Sequence, residues 1–407
     1  MTKTNRFFNL LGFLSLVIFI SVQSFGQFAN NGWHPELAQL RSLPEGESYI
    51  FLMLTPSQTA LSYASPRALK ESLFFNFRGF SKDIPTVGHT MFAWQCSGFT
   101  DSGHDHPQMV RGMSAYSGEV DQQFQKMLAS EYGLSGLLAQ YTDGYFWDPQ
   151  GRGDNDKFGL FFGEVWNGGL PLKWMGFRVS DEGCGKAVTF LEDFAKRQEQ
   201  AIAEGVIEGR LFGFNLNPKV DVGAGCSSMG QAFLQAAGLF PKISQNWSRS
   251  LPIPRGLLGA PKEPSLPPNV VFEPDVVELI SQEGRVSMTK LFFHPWTSFD
   301  PKDVISLELV DIELMFFTVG EIERQMVSRS PKVAQYLPSQ RLQPRTERRY
   351  SVDGVVGFVD KPIDRNLDEK TKKIHKLIDQ VVEGNEATII RKIGNVPGLI
   401  FTNQKFQ

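Results

Sequence analysis

Two apolar runs in this chain are too short for helices and too continuous for half-buried strands. They are Tyr49 to Leu54 and Val87 to Trp94, and each predicts a strand buried on both faces. A polar loop from Ser97 to Pro107 follows the second run, and Met109 to Tyr116 returns as the other arm of a hairpin. Asp121 to Ser130 predicts a helix, Tyr132 to Leu138 a glycine-punctuated connection, and Asp148 to Lys157 an exposed loop.

Helical spacing takes over after Gly185. Val188, Leu191, Ala195 and Ile202 recur on one side, flanked by Ala187, Phe190, Phe194 and Ala201, which predicts one broad packing face. The stretch from Leu211 to Phe214 predicts a short strand. A glycine-rich turn, Gly223-Ala224-Gly225-Cys226-Ser227-Ser228, then opens onto a helix in which Met229, Phe233 and Ala237 share a face and which Gly238 ends. Further on, Val304 to Met326 and Asp368 to Gly384 are apolar-rich. In the second, Ile374, Leu377, Ile378, Val381 and Val382 form an amphipathic stripe, and Glu369 and Lys373 are spaced for an ion pair.

Prolines 252, 254, 261, 264, 267, 268 and 274 mark a semi-rigid linker or a wrapping arm. With 407 residues the chain exceeds a typical domain of ~100 to 200 residues. The expected division is a leader over 1–26, a main domain over 27–250, the linker over 251–274 and a C-terminal extension over 275–407 that carries no catalytic motif.

The leader reading rests on Lys3 and Arg6, the apolar run Phe7 to Val22, and small Ser24 and Gly26 before a cleavage point. It implies export to the periplasm or outer envelope, or retention through an uncleaved N-terminal anchor with association at the membrane surface. Net charge is −3, and loss of Lys3 and Arg6 would make it −5, so no basic field exists to attract nucleic acid. The 34 phenylalanines suit a large core and equally an apolar acyl-binding groove.

The chain has three cysteines, Cys96, Cys184 and Cys226. An odd number in an exported protein leaves at least one thiol outside any intrachain disulfide. If Cys96 and Cys184 pair, that thiol is Cys226, but spacing alone does not decide the pairing. A cysteine at a helix start sits where unpaired N–H groups and the helix dipole favour its thiolate. Histidine is the usual acceptor of such a proton at neutral pH, and His89 in the second apolar strand is the candidate. Taken singly, a helix cysteine is more often a small buried hydrophobe and a strand histidine a satisfied core residue. Gly223 and Gly225 tip the balance, since they leave the backbone before Cys226 bare for a substrate carbonyl. Gly225 and Ser227 are the candidate oxyanion and substrate contacts. His104-Asp105-His106 lacks the spacing that preorganises zinc sites and is read as a solvated loop. The Asp181-Glu182 pair fits the start of a helix better than glycosidase chemistry. Neither a metal nor a cofactor is expected.

Three segments carry a resemblance. Pro85-Thr86-Val87-Gly88-His89 precedes a strand, Ala115-Tyr116-Ser117-Gly118-Glu119-Val120-Asp121 follows, and Tyr132-Gly133-Leu134-Ser135-Gly136-Leu137-Leu138 comes before a long helix and the cysteine turn. In this order they resemble an uncharacterised-domain family of Gram-negative envelope proteins that includes a lipoprotein N-acyltransferase. That family is similar to circularly permuted NlpC-type papain-like thiol hydrolases, and the resemblance covers roughly Leu54 to Phe240. It implies an α+β fold with a permuted papain-like core and a mixed C-terminal extension. It also implies Cys226 as nucleophile and His89 as base, with an acyl-lipid, a lipoprotein or a peptidoglycan peptide as substrate. Gly225 stands where the family usually has Asn, and Ser228 where it has Thr. The Tyr116-Ser117-Gly118 segment is altered too, so Ser114 and Tyr116 are the candidates for the base-orienting residue. A non-catalytic lipid- or peptide-binding module on the same fold is the competing expectation.

Overall fold

Strands that are apolar along their whole length need cover on both faces, and the computed structural model of the chain places them in the middle of a mixed sheet. The structure describes residues 43, 44, 46–55, 89–97, 108–110, 140–142, 173–207, 210–213, 216–258, 286, 290, 304–337, 365–383, 388–393 and 396–407. All of them belong to one unit, 32–407.

The strands in chain order are β1 (Ser48–Thr55), β2 (His89–Gln95), β3 (Gln108–Val110), β4 (Gln140–Thr142), β5 (Lys173–Val179), β6 (Arg210–Phe212), β7 (Ser248–Pro254), β8 (Val304–Val310), β9 (Thr388–Ile393) and β10 (Val396–Phe401). The helices are α1 (Asp181–Ala203), α2 (Cys226–Ala236), α3 (Ile312–Arg329), α4 (Pro331–Tyr336) and α5 (Arg365–Val382). Six strands form one sheet in the order β3-β2-β1-β5-β10-β9. Only β5 and β10 run parallel; the other neighbours are antiparallel. Strands β4 with β6 and β7 with β8 make two separate antiparallel ribbons. The chain is therefore mixed α+β with a mixed sheet.

Alternation sorts the central strands into two faces. Leu52, Leu54, Phe92, Trp94, Met175 and Phe177 join the core that α1, α2 and α3 complete, while Phe51, Met53, Met91, Ala93 and Trp174 are buried on the opposite face. Phe92 stacks on Phe233 of α2 with ring centroids 4.3 Å apart. A second aromatic cluster gathers Phe177, Phe240, Trp247, Phe401 and Phe406. The phenylalanines of these two clusters thus serve packing.

The hairpin expected after the second apolar run is present in part: β3 pairs antiparallel with β2, and residues 111–116 lie outside the described residues. The segments Asp121 to Ser130, Tyr132 to Leu138 and Asp148 to Lys157 lie outside them as well.

Helix α1 begins earlier than its apolar spacing predicts. Ser180 caps it, the Ser180 hydroxyl accepting from the Gly183 N–H at 3.1 Å, and Asp181 and Glu182 occupy the first turn. A Cβ on Gly183 would lie 2.7 Å from the Ala237 carbonyl oxygen, so glycine there lets α1 approach the end of α2. Cys96, just past β2, forms a disulfide with Cys184 in that first turn. Closing a loop of 88 residues restricts the unfolded chain, an effect worth roughly 4 to 5 kcal/mol in the entropic account.

The apolar segment Val304 to Met326 divides at Asp311. The strand β8 ends before it, and its carboxylate accepts from the Glu313 N–H at 2.9 Å to cap α3. Residues 251–254 of the proline-rich stretch run in β7, whose pairing with β8 alone leaves one side open to Pro252 and Pro254. The C-terminal residues enter the main sheet through β10, and α3 packs on β1 and β5. The last residues also clasp the end of α2. Gln407 donates to the Ala237 carbonyl at 3.0 Å, and the Phe240 N–H donates to the Phe406 carbonyl at 2.8 Å.

Candidate functional site

Helix α2 starts where the glycine-rich turn predicts. Gly225, extended at φ −88° and ψ 165°, is its N-cap, and Cys226 is the first helical residue. Gly225 has no side chain to cap with, so Ser228 reaches back. The Ser228 hydroxyl accepts from the Gly225 N–H at 3.0 Å and donates to the Gly225 carbonyl at 3.2 Å. This is one arm of a capping box, and it engages the Gly225 N–H in the resting state. Gly223 is pinned by a bridge to Leu211 of β6, where a Cβ would come within 2.7 Å of the Leu211 carbonyl oxygen.

The Cys96 to Cys184 disulfide leaves Cys226 as the remaining thiol. It is buried, with 6% of its surface exposed. The Ser227 hydroxyl lies 3.8 Å from its sulfur. Burial pushes the thiol above its ordinary pKa, and the polar groups of Thr90 and Ser227 only moderate the rise. The expectation of a favoured thiolate is corrected on this point: the polar groups of Thr90 and Ser227 lower the pKa, but desolvation outweighs them.

A stability prediction follows from that direction. A thiol whose folded pKa is raised contributes stability that is fully present below the unfolded value, 9.0, and is lost as pH climbs towards the folded one. Unfolding free energy is expected to fall as pH rises above about 9, and Cys226→Ala is expected to remove the part of that slope due to this thiol. Urea unfolding of both proteins across alkaline pH measures the difference.

Thr90 lies against α2, the helix that Cys226 begins. It is the second residue of β2, immediately after His89, and it stands opposite Leu54 of β1. The described side chains that β2 turns toward α2 are those of Thr90, which meets Gly230, and of Phe92 and Trp94, which meet Phe233. His89 opens the strand opposite Thr55; its side chain lies outside the described residues. Ser114 and Tyr116 lie outside them too, as does His104-Asp105-His106. The structure thus brings Cys226, Ser227, Gly225 and the backbone beside His89 to one end of β2.

Three participants were not singled out by sequence reasoning. Thr90 meets α2 through its methyl group at Gly230. Gly230, in the middle of an apolar helix, was the available signal for a close approach. Met315 of α3, whose sulfur accepts from the Thr90 hydroxyl at 3.8 Å, comes from 225 residues away. Among the described residues no group of three or more His, Cys, Asp or Glu is gathered as a metal site. His375 is engaged with the Glu321 carboxylate at 2.6 Å. No helix of the described residues is long and apolar enough to cross a membrane.

No protein-family model matches the chain, and no curated protein or solved structure matches it either.

Proposed function

We propose that the protein is an exported cysteine-dependent hydrolase or acyltransferase that acts on an amide or ester of the cell envelope, on a permuted papain-like core. The observation that carries this reading is the seat of Cys226: at the first turn of α2, a helix whose Gly230 lies against Thr90, the residue that follows His89. Cys226 attacks the substrate carbonyl while His89 takes the thiol proton and later returns it to the leaving group. The raised thiol pKa fits a base that acts during attack rather than a thiolate formed beforehand. As the sulfur bonds to carbon, the N–H groups of Cys226 and Ser227 turn to the developing oxyanion, and Gly225 leaves the carbonyl unobstructed. Water as acceptor gives hydrolysis; an amine gives acyl transfer. The disulfide supports export, since such bonds persist in oxidising compartments. A lipoprotein acyl chain and a peptidoglycan peptide are the substrate classes to compare.

Labelling with a thiol-reactive acyl probe tests the reading. Cys226→Ala and Cys226→Ser are expected to abolish it in otherwise folded protein, and undiminished labelling in both would refute the mechanism. The burial of Cys226 favours a second reading, a non-catalytic module that binds a lipid or peptide. Binding of a lipopeptide by the unmodified chain without turnover, retained in Cys226→Ala, would select it.

A further inference from the structure

We propose that an open groove on the exposed side of α1 is a binding site for a phosphate group, carried by a soluble phosphate ester or by the headgroup of an anionic lipid. The site stands apart from the chemistry of Cys226, and its test does not depend on that thiol being a nucleophile.

The groove has a volume of about 380 Å³ and is lined by Lys186, Thr189, Phe190, Asp193, Arg197 and Lys219. The first five fall on one stripe of α1 at helical spacing. Lys219 comes from the turn over 217–221, which supplies the opposite wall. That turn is fixed from within: the Asn217 N–H donates to the Asp221 carboxylate at 2.6 Å, and the Lys219 N–H to the Asn217 side-chain oxygen at 3.1 Å. It is also fastened to the helix. Arg197 donates to the Pro218 carbonyl at 2.6 Å, and Gln198 donates to the Val222 carbonyl at 3.1 Å. The two walls are therefore held in place before a ligand arrives.

Three cations in the lining face one carboxylate, that of Asp193. Two of the three are bonded to neutral oxygens, Arg197 to the Pro218 carbonyl and Lys219 to the Gln235 side chain at 2.6 Å. Arg197 Nε is shielded from solvent and has no acceptor among the described residues, so the donors of this guanidinium are not all used. Lys186 is paired with Glu182, but the two side chains are 63% and 77% exposed, and an ion pair so open to water is weak enough to exchange for a ligand. A phosphate monoester carries up to two charges and three acceptor oxygens pointing in different directions, so it can engage Lys186, Arg197 and Lys219 together; a planar, singly charged carboxylate cannot. Thr189 adds a hydroxyl donor. Phe190, half-buried against the core, offers an apolar surface to the carbon chain that bears the phosphate.

Isothermal titration calorimetry of the full chain with inorganic phosphate, glycerol phosphate and acetate tests the site, beside flotation with vesicles of phosphatidylglycerol or phosphatidylcholine. Glycerol phosphate is expected to bind saturably, more tightly than inorganic phosphate and at least about tenfold more tightly than acetate. Arg197→Gln and Lys219→Gln are each expected to weaken it by about tenfold, and Asp193→Asn to tighten it by about threefold. Added salt is expected to weaken it as well. If Arg197→Gln fails to fold, Lys186→Gln/Lys219→Gln decides, since both lysines are exposed. Binding of glycerol phosphate without capture by vesicles supports the site with a soluble ester as its ligand. Capture by phosphatidylglycerol and not phosphatidylcholine, lost in the double variant, supports it with a lipid headgroup. The proposal is overturned if neither is seen, if acetate binds as tightly as glycerol phosphate, or if the double variant binds as the wild type does.

Discussion

Replacing His89 by alanine is expected to slow acylation of Cys226 by about 10²- to 10⁴-fold at neutral pH, the usual contribution of a positioned general base. The reason lies in the environment of the sulfur. Burial raises the Cys226 thiol above its ordinary pKa, so the resting side chain is neutral and a proton must leave during attack. Thr90, the residue after His89 in β2, meets α2 at Gly230, one turn beyond Cys226. Single-turnover acylation by an activated acyl ester, followed by mass, measures the rate. In His89→Ala the residual rate is expected to climb with pH into the range where the thiol ionises unaided, and added imidazole is expected to restore part of the loss at pH 7. Equal rates in the two proteins would remove His89 from the mechanism.

Lys173→Met is expected to destabilise the fold by about 3 to 5 kcal/mol, the cost of leaving one member of a buried pair without its partner. Lys173 begins β5 beside Leu54 of β1, which in turn faces Thr90 of β2. Its ammonium is in an ion pair with Glu323 of α3, the two side chains 6% and 0% exposed, and it lies 5.5 Å from the centre of the Phe316 ring. Gly320 faces the lysine stem, a Cβ there falling 3.4 Å from Lys173 Cε. The pair thus fastens α3, which carries Met315, to the sheet that carries Thr90. Removing the lysine leaves a carboxylate in the core. Replacing both members, as in Lys173→Met/Glu323→Leu, is expected to recover most of the loss, because an apolar pair of similar volume avoids the desolvation of two charges. Urea midpoints with unchanged m-values would register both effects, and a double variant no more stable than Lys173→Met would contradict the assignment.

The elements legible in the sequence are those whose pattern is local. Leu191, Phe194 and Ala195 declare the buried face of α1, Met229 and Phe233 that of α2, and the unbroken run Tyr49 to Leu54 gives β1. Strand β5 escaped because two of its residues argue against a strand when read locally. Gly176 is there because the Phe51 ring rests on it, 2.8 Å from where a Cβ would be, and Lys173 is buried only because Glu323 arrives from 150 residues away. Strand β10 carries Pro397 and Gly398 for a similar reason: the Trp174 ring lies flat over Gly398, 2.2 Å from the site of a Cβ, and its indole N–H donates to the Val396 carbonyl at 2.9 Å.

The candidate site divides in the same way. A cysteine after a bare glycine turn is visible in the sequence, as is its place at a helix start. Its burial is not, because the covering comes from strands and helices distant in sequence, and burial is what reverses the expected shift of the thiol. The pairing of Cys96 with Cys184 was likewise open until β2 and α1 were set side by side, which then left Cys226 as the remaining thiol.

The distance from the Cys226 sulfur to the nearer ring nitrogen of His89, measured in a crystal structure of the reduced protein at neutral pH, tests the dyad most directly. A reactive pair requires about 4 Å or less, with some looseness in an unliganded site. The account predicts that contact. A separation of about 8 Å or more, with the imidazole engaged on another group, would contradict it and leave Cys226 a buried structural thiol.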